Sequence, residues 1–100
     1  ALPVVEETAS PAARLADEAK LAARLLALGV EHHDLHSGNF VRTADGRLAV
    51  LDLQSARRSA SAGEPKARLR AAARLVRDTT ASESVLLDAL REGGLVRDAA

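Results

Sequence analysis

Apolar residues recur at helical spacing in three stretches of this chain. Leu15, Ala19, Ala22 and Leu26 form one stripe, with Leu25 and Leu28 beside it, and predict an amphipathic helix over 11–28. Ser10 can cap that helix and Pro11 suits its first position, where a missing N–H costs nothing. Gly29 is placed to end it. Arg14 with Glu18, and Asp17 with Lys20, have the spacing of surface ion pairs. Leu69, Ala72, Ala73 and Val76 follow the i, i+3, i+4, i+7 pattern and predict a second helix over 65–78. Lys66, Arg70, Arg74 and Arg77 then fall on another face. Thr80 and Glu83 fit a capping box opening a third helix over 81–92, which Gly93-Gly94 closes.

Two short apolar runs, 40–42 and 48–51, are separated by Thr-Ala-Asp-Gly-Arg. Asp45-Gly46 is a tight-turn signal, so residues 40–51 are expected to form a two-stranded hairpin. Residues 1–9 read as extended chain followed by loop. Val30 to His33 read as a very short strand or as the entry to a loop, and 53–63 as loop by composition. The expected class is α+β, mostly helical, with no internal repeat.

Composition narrows this only a little. One hundred residues make one small domain at most. The chain starts with Ala1, has no Met and has a single aromatic, Phe40; the missing initiator Met leads us to expect a start inside a longer reading frame or after processing. Without Cys there is no disulfide framework and no thiolate metal site. No apolar run approaches the ~20 residues that span a bilayer, and no signal peptide is recognisable. A cytoplasmic location is expected, with any membrane association peripheral to the inner membrane. Overall charge balances, 14 bases against 14 acids, but Arg57 to Arg77 holds seven bases and one acid. That stretch suits an anionic membrane or a phosphorylated sugar, or else is a solvated helix face and loop. No nucleic-acid partner is expected.

The chemistry concentrates in residues 32–52, HHDLHSGNFVRTADGRLAVLD. Asn39 stands five residues after Asp34, and Asp52 stands 13 after Asn39. This spacing resembles the H-x-D-x-x-x-x-N catalytic loop and metal-binding Asp of the protein-kinase-like fold. Phosphoryl transfer needs an acceptor for the hydroxyl proton, for which Asp34 is suited. It also needs hard oxygen ligands to hold Mg2+ against the phosphates of ATP, which Asn39 and Asp52 supply. The expected hairpin starts just after Asn39 and ends just before Asp52, returning the second to the first. His36 is placed to aid the transferred phosphate. His32 reads as a packed histidine whose ring bonds a backbone carbonyl, and His33 as a solvent-facing one. Arg57 and Arg58 suit contact with substrate phosphate or lipid, or simple loop solvation. The glycines are isolated or follow a helix, so none forms a phosphate cradle.

More narrowly, His32 to Phe40, then Asp45-Gly46-Arg47-Leu48, then Leu51-Asp52-Leu53-Gln54, resemble the bacterial lipopolysaccharide core kinases that phosphorylate Kdo or heptose sugars. The resemblance covers about residues 25–60. It implies a partial protein-kinase-like C-terminal lobe made of the helix 11–28, the catalytic loop 32–39, the hairpin 40–51 and the helices 65–78 and 81–92. It also implies Asp34 as catalytic base, Asn39 and Asp52 as Mg2+ ligands, ATP as donor, and a small-molecule or lipid-linked sugar as acceptor. His33 stands where many relatives carry Arg or Gly. The helix around Arg70 lacks the Asp that often braces the catalytic loop, and neither a Gly-rich loop nor a paired Lys and Glu is found. Two alternatives stay open. One is an aminoglycoside- or choline-kinase-like phosphotransferase, and the other is a truncated, non-catalytic remnant.

Overall fold

The long amphipathic helix organises the molecule. The computed structural model describes residues 4–51, 54, 56–77 and 79–96. In chain order the elements are β1 (Val4–Val5), α1 (Pro11–Ala27), β2 (Val30–His32), a 3-10 turn (Ser37–Asn39), β3 (Phe40–Thr43), β4 (Leu48–Val50), β5 (Ala56–Arg58), α2 (Pro65–Val76) and α3 (Glu83–Glu92). The described residues form a small α+β structure of three α-helices and two small antiparallel sheets, with more residues in helix than in strand. Among the described residues, no helix is long and apolar enough to cross a membrane.

The local signals at both ends of α1 act as anticipated. The Ser10 hydroxyl accepts the Ala13 N–H at 3.2 Å, and Pro11 opens the helix. Gly29 takes a positive φ of 83°, a conformation that costs a side-chain-bearing residue about 1–2 kcal/mol. Leu15, Ala19, Ala22 and Leu26 are all buried. Leu28, expected beside that stripe, is instead 69% exposed, because the helix has already ended and Leu28 is its C-cap. Asp17 does not pair with Lys20; it reaches across to Arg42 of β3 at 3.1 Å.

Helices α2 and α3 pack against α1, and the seam is built from small side chains: Ala16, Ala19 and Ala22 on α1, Ala67, Ala71 and Ala72 on α2, and Ala89 on α3. Small residues let helix axes approach closely, so contact area comes from backbone as much as from side chains. The radius of gyration is 13.0 Å, equal to the roughly 13 Å expected for a compact 100-residue chain.

Four expectations are corrected here. The buried face of α2 is Ala67, Ala71, Ala72 and Leu75, not Leu69, Ala72, Ala73 and Val76; Leu69 is 60% exposed. This rotation keeps the alanines against α1 while Arg70 reaches Glu31 at 3.0 Å and Arg74 reaches the His32 carbonyl at 3.3 Å. The helix ends at Val76 rather than 78. The cap of α3 is Ser82, whose hydroxyl accepts the Val85 N–H, so Thr80 lies outside the helix. Finally, residues 56–58, read as loop, form β5 and pair antiparallel with β2, with Glu31 opposite Arg57. Little in Ala-Arg-Arg favours a strand, so the pairing partner decides it.

The hairpin forms as anticipated. Phe40 pairs with Val50 and Arg42 with Leu48. The Gly46 N–H donates to the Thr43 carbonyl at 2.9 Å, and Gly46 has φ 86°. β1 adds a third strand on the free side of β3, Val4 opposite Thr43 and Val5 opposite Arg42.

Candidate active site

The loop between β2 and β3 is held by its own polar side chains. His32 is buried, as expected of a packed histidine, and its Nδ1 accepts the Asp34 N–H at 3.2 Å. Leu35 is buried in the core and pins the middle of the loop from below. His36 and Asn39 then lock together. The His36 N–H donates to Asn39 Oδ1 at 3.1 Å, and the Asn39 N–H donates to the His36 carbonyl at 2.9 Å. The Gly38 N–H donates to His36 Nδ1 at 3.0 Å. An imidazole whose Nδ1 accepts carries its neutral-form proton on Nε2. The ring lies close over Gly38: a Cβ there would be 2.8 Å from His36 Cε1, so a side chain at this step would push the ring aside.

Asp34 sits at the exposed crest of the loop. Among the described residues, no hydrogen bond or ion pair engages its carboxylate. Asn39 is half-buried at the start of β3. Its carbonyl accepts the Leu51 N–H at 2.6 Å, one step beyond the Phe40–Val50 pair. The register therefore carries the chain back to Asn39 at residue 51. Asp52, the expected second metal ligand, lies outside the described residues, as do Leu53 and Ser55. An amide oxygen has two lone pairs, so Asn39 Oδ1 can accept the His36 N–H and still offer oxygen to a hard cation. To that extent Asn39 fits the metal-ligand role. His33 is exposed, its Nε2 3.9 Å from Glu31 Oε2.

A second set of residues braces this loop. Glu18 on α1 is 1% exposed and accepts both the Ser37 hydroxyl at 2.7 Å and Arg14 Nε at 2.6 Å. Arg14 also donates to the Phe40 carbonyl at 2.9 Å and to Glu7 at 2.7 Å. Glu7 is gripped by Arg42 as well, at 2.9 and 3.0 Å. Hydrogen bonds from Arg42 first and Arg14 second hold the Glu7 carboxyl down at about 2. The sequence reading treated Arg14 and Glu18 as a surface pair and missed this role. A signal was present, since Glu18 stands three residues after Leu15 and four before Ala22, inside the apolar stripe. A carboxylate there must be buried, and a buried carboxylate needs partners.

Beside the loop lies an open cleft of about 600 Å³, within the ~300–1,000 Å³ typical of small-molecule sites. His36, Ser37 and Gly38 form one wall with Arg14 and Glu18; Arg74, Thr79, Thr80 and Leu86 face them. The basic stretch after the hairpin is largely engaged with the fold. Arg57 donates to the Gln54 and Ala56 carbonyls, Arg68 to the Gly63 carbonyl, Arg70 to Glu31 and Arg74 to the His32 carbonyl. Comparison with protein-family models, with curated protein sequences and with solved structures returned no match for this chain.

Proposed function

We propose that residues 32–52 form the acceptor-activating and metal-binding part of an ATP-dependent, protein-kinase-like phosphotransferase acting on an alcohol. In this reading Asp34 takes the proton of the acceptor hydroxyl. Asn39 and Asp52 hold Mg2+, which would neutralise charge on the transferring phosphoryl group. His36 offers its Nε2 proton beside the loop. The observation that supports the reading best is the bond from the Leu51 N–H to the Asn39 carbonyl, which returns the chain to Asn39 at the residue before Asp52. The exposed, unengaged Asp34 carboxylate agrees with a base awaiting a substrate. The acceptor we favour is a lipopolysaccharide core sugar, Kdo or heptose, held in the cleft beside Ser37, with the protein bound peripherally to an anionic membrane through the exposed bases of 57–77.

A non-catalytic remnant is the second reading. It is favoured by one observation: Asn39 Oδ1 and His36 Nδ1 are both engaged with the loop's own backbone. One experiment separates the two. The protein expressed from its complete reading frame is given γ-labelled ATP, Mg2+ and core oligosaccharide, as wild type and as Asp34→Ala. Loss of a general base should lower transfer about 10²–10⁴-fold. Transfer that is absent in the wild type, or unaltered in Asp34→Ala, would rule out the catalytic reading.

A further inference from the structure

The Glu18 side chain is among the largest fully buried in the described molecule, and it is charged. Its position on the apolar stripe of α1 would be filled more simply by Leu or Met. A buried carboxylate persists only where hydrogen bonds and opposite charge compensate its lost hydration. Both are present: Arg14 Nε at 2.6 Å and the Ser37 hydroxyl at 2.7 Å. No buried side-chain nitrogen or oxygen among the described residues lacks a partner.

The place where this anchor meets the loop is informative. Ser37 opens the 3-10 turn. It directly follows His36, whose N–H and carbonyl both bond Asn39. Arg14 fixes the far end of the same turn through the Phe40 carbonyl, and touches the Ser37 carbonyl at 3.4 Å. Helix α1 thus grips the loop on both sides of Asn39, while α2 holds the other end through Arg74 and the His32 carbonyl. Nothing in this arrangement requires Glu18 to touch a ligand.

We propose that Glu18 is a positioning residue: through Ser37 it sets the loop that carries Asp34, His36 and Asn39. Its consequence for catalysis rests on the phosphotransferase reading; its consequence for loop order does not. Ser37→Ala is the informative variant, because Ser37 is exposed and only the hydroxyl is lost. Glu18→Ala would strip Arg14 Nε and the Ser37 hydroxyl of their shared partner and open a cavity beneath α1, so a loss of folding would obscure it and it is not the test.

Two measurements decide the matter. In the 100-residue chain, amide hydrogen exchange at His36, Gly38 and Asn39 should accelerate about tenfold or more in Ser37→Ala, with α2 and α3 unaffected. Unaltered exchange at those amides would overturn the proposal whatever the activity. In the protein expressed from its own reading frame, Ser37→Ala should lower kcat about 10- to 100-fold, as small misplacements of catalytic groups do. Ser37→Thr, which keeps the hydroxyl, should restore kcat, a rescue that a general loss of stability would not give. Wild-type kcat in Ser37→Ala beside an inactive Asp34→Ala would refute the positioning role in catalysis. An active Asp34→Ala would instead refute the phosphotransferase reading and leave the exchange result to decide on Glu18.

Discussion

A methyl group on Gly93 would lie 2.6 Å from the Cβ of Ala19 and 2.6 Å from the carbonyl oxygen of Ala16. Gly93 has φ −75°, which any residue can adopt, so its small size and not its flexibility is what the fold uses. The end of α3 rests directly on the backbone of α1, and neither partner there is a flexible side chain that could move aside. Gly93→Ala should therefore destabilise the chain by about 1–3 kcal/mol, the range for overpacking a tight seam. Gly94 is the control, with open space around it and φ 80°. There Ala should cost only the left-handed strain, about 1–2 kcal/mol. Urea denaturation of both variants gives the comparison, and an unperturbed Gly93→Ala would show that α3 does not dock so closely.

The orientation of α2 is open to an equally direct check. Leu75 is buried at 4% exposure and Leu69 is 60% exposed. Leu75→Ala should cost about 2–4 kcal/mol by removing core volume, whereas Leu69→Ala should stay within about 0.5 kcal/mol. The opposite ranking of denaturation midpoints would restore the face expected from the periodicity.

Acid should weaken the link between β1, α1 and β3. Glu7 has its carboxyl lowered from 4.5 to about 2, chiefly by Arg42 and then Arg14. A carboxylate with a depressed folded-state pKa stabilises the fold fully above its unfolded value. The contribution is lost as pH falls from about 4.5 toward 2. Glu7 remains partly exposed, so solvent screening limits the effect to about 1 kcal/mol. Glu7→Gln should remove that part of the pH dependence while leaving stability above pH 5 lower by a similar amount. Denaturation midpoints at pH 7, 4 and 2.5 would read this; identical pH profiles for the two proteins would exclude the Glu7 clamp.

Of the candidate site, the loop and its hairpin were legible in the sequence. Asn39 directly precedes β3, the chain turns at Gly46, and it returns to Asn39 at Leu51. The brace was not recognised, because pairing Arg14 with Glu18 along one helix gave no hint that Ser37, 19 residues further on, completes it. His36 was assigned to phosphate, but its Nδ1 also holds the Gly38 N–H, a contact that depends on how sharply the loop turns.

Some features are encoded by a few neighbouring residues and could be read from the chain alone. Ser10, Pro11 and Gly29 bound α1, its stripe selects the buried face, and Asp45-Gly46 turns the hairpin, because caps, turns and strong apolar contrast act over one or two turns of chain. The other features were settled by packing between elements distant in sequence. In α2 the apolar residues are mostly alanines, so two different faces satisfy the helical period almost equally, and packing on α1 with the reach of Arg70 and Arg74 selects one. β5 exists because β2 lies beside it, and Glu18 became a buried anchor because Ser37 and Arg14 arrive there from elsewhere in the fold. Such choices depend on partners distant in sequence, whose approach no local pattern records.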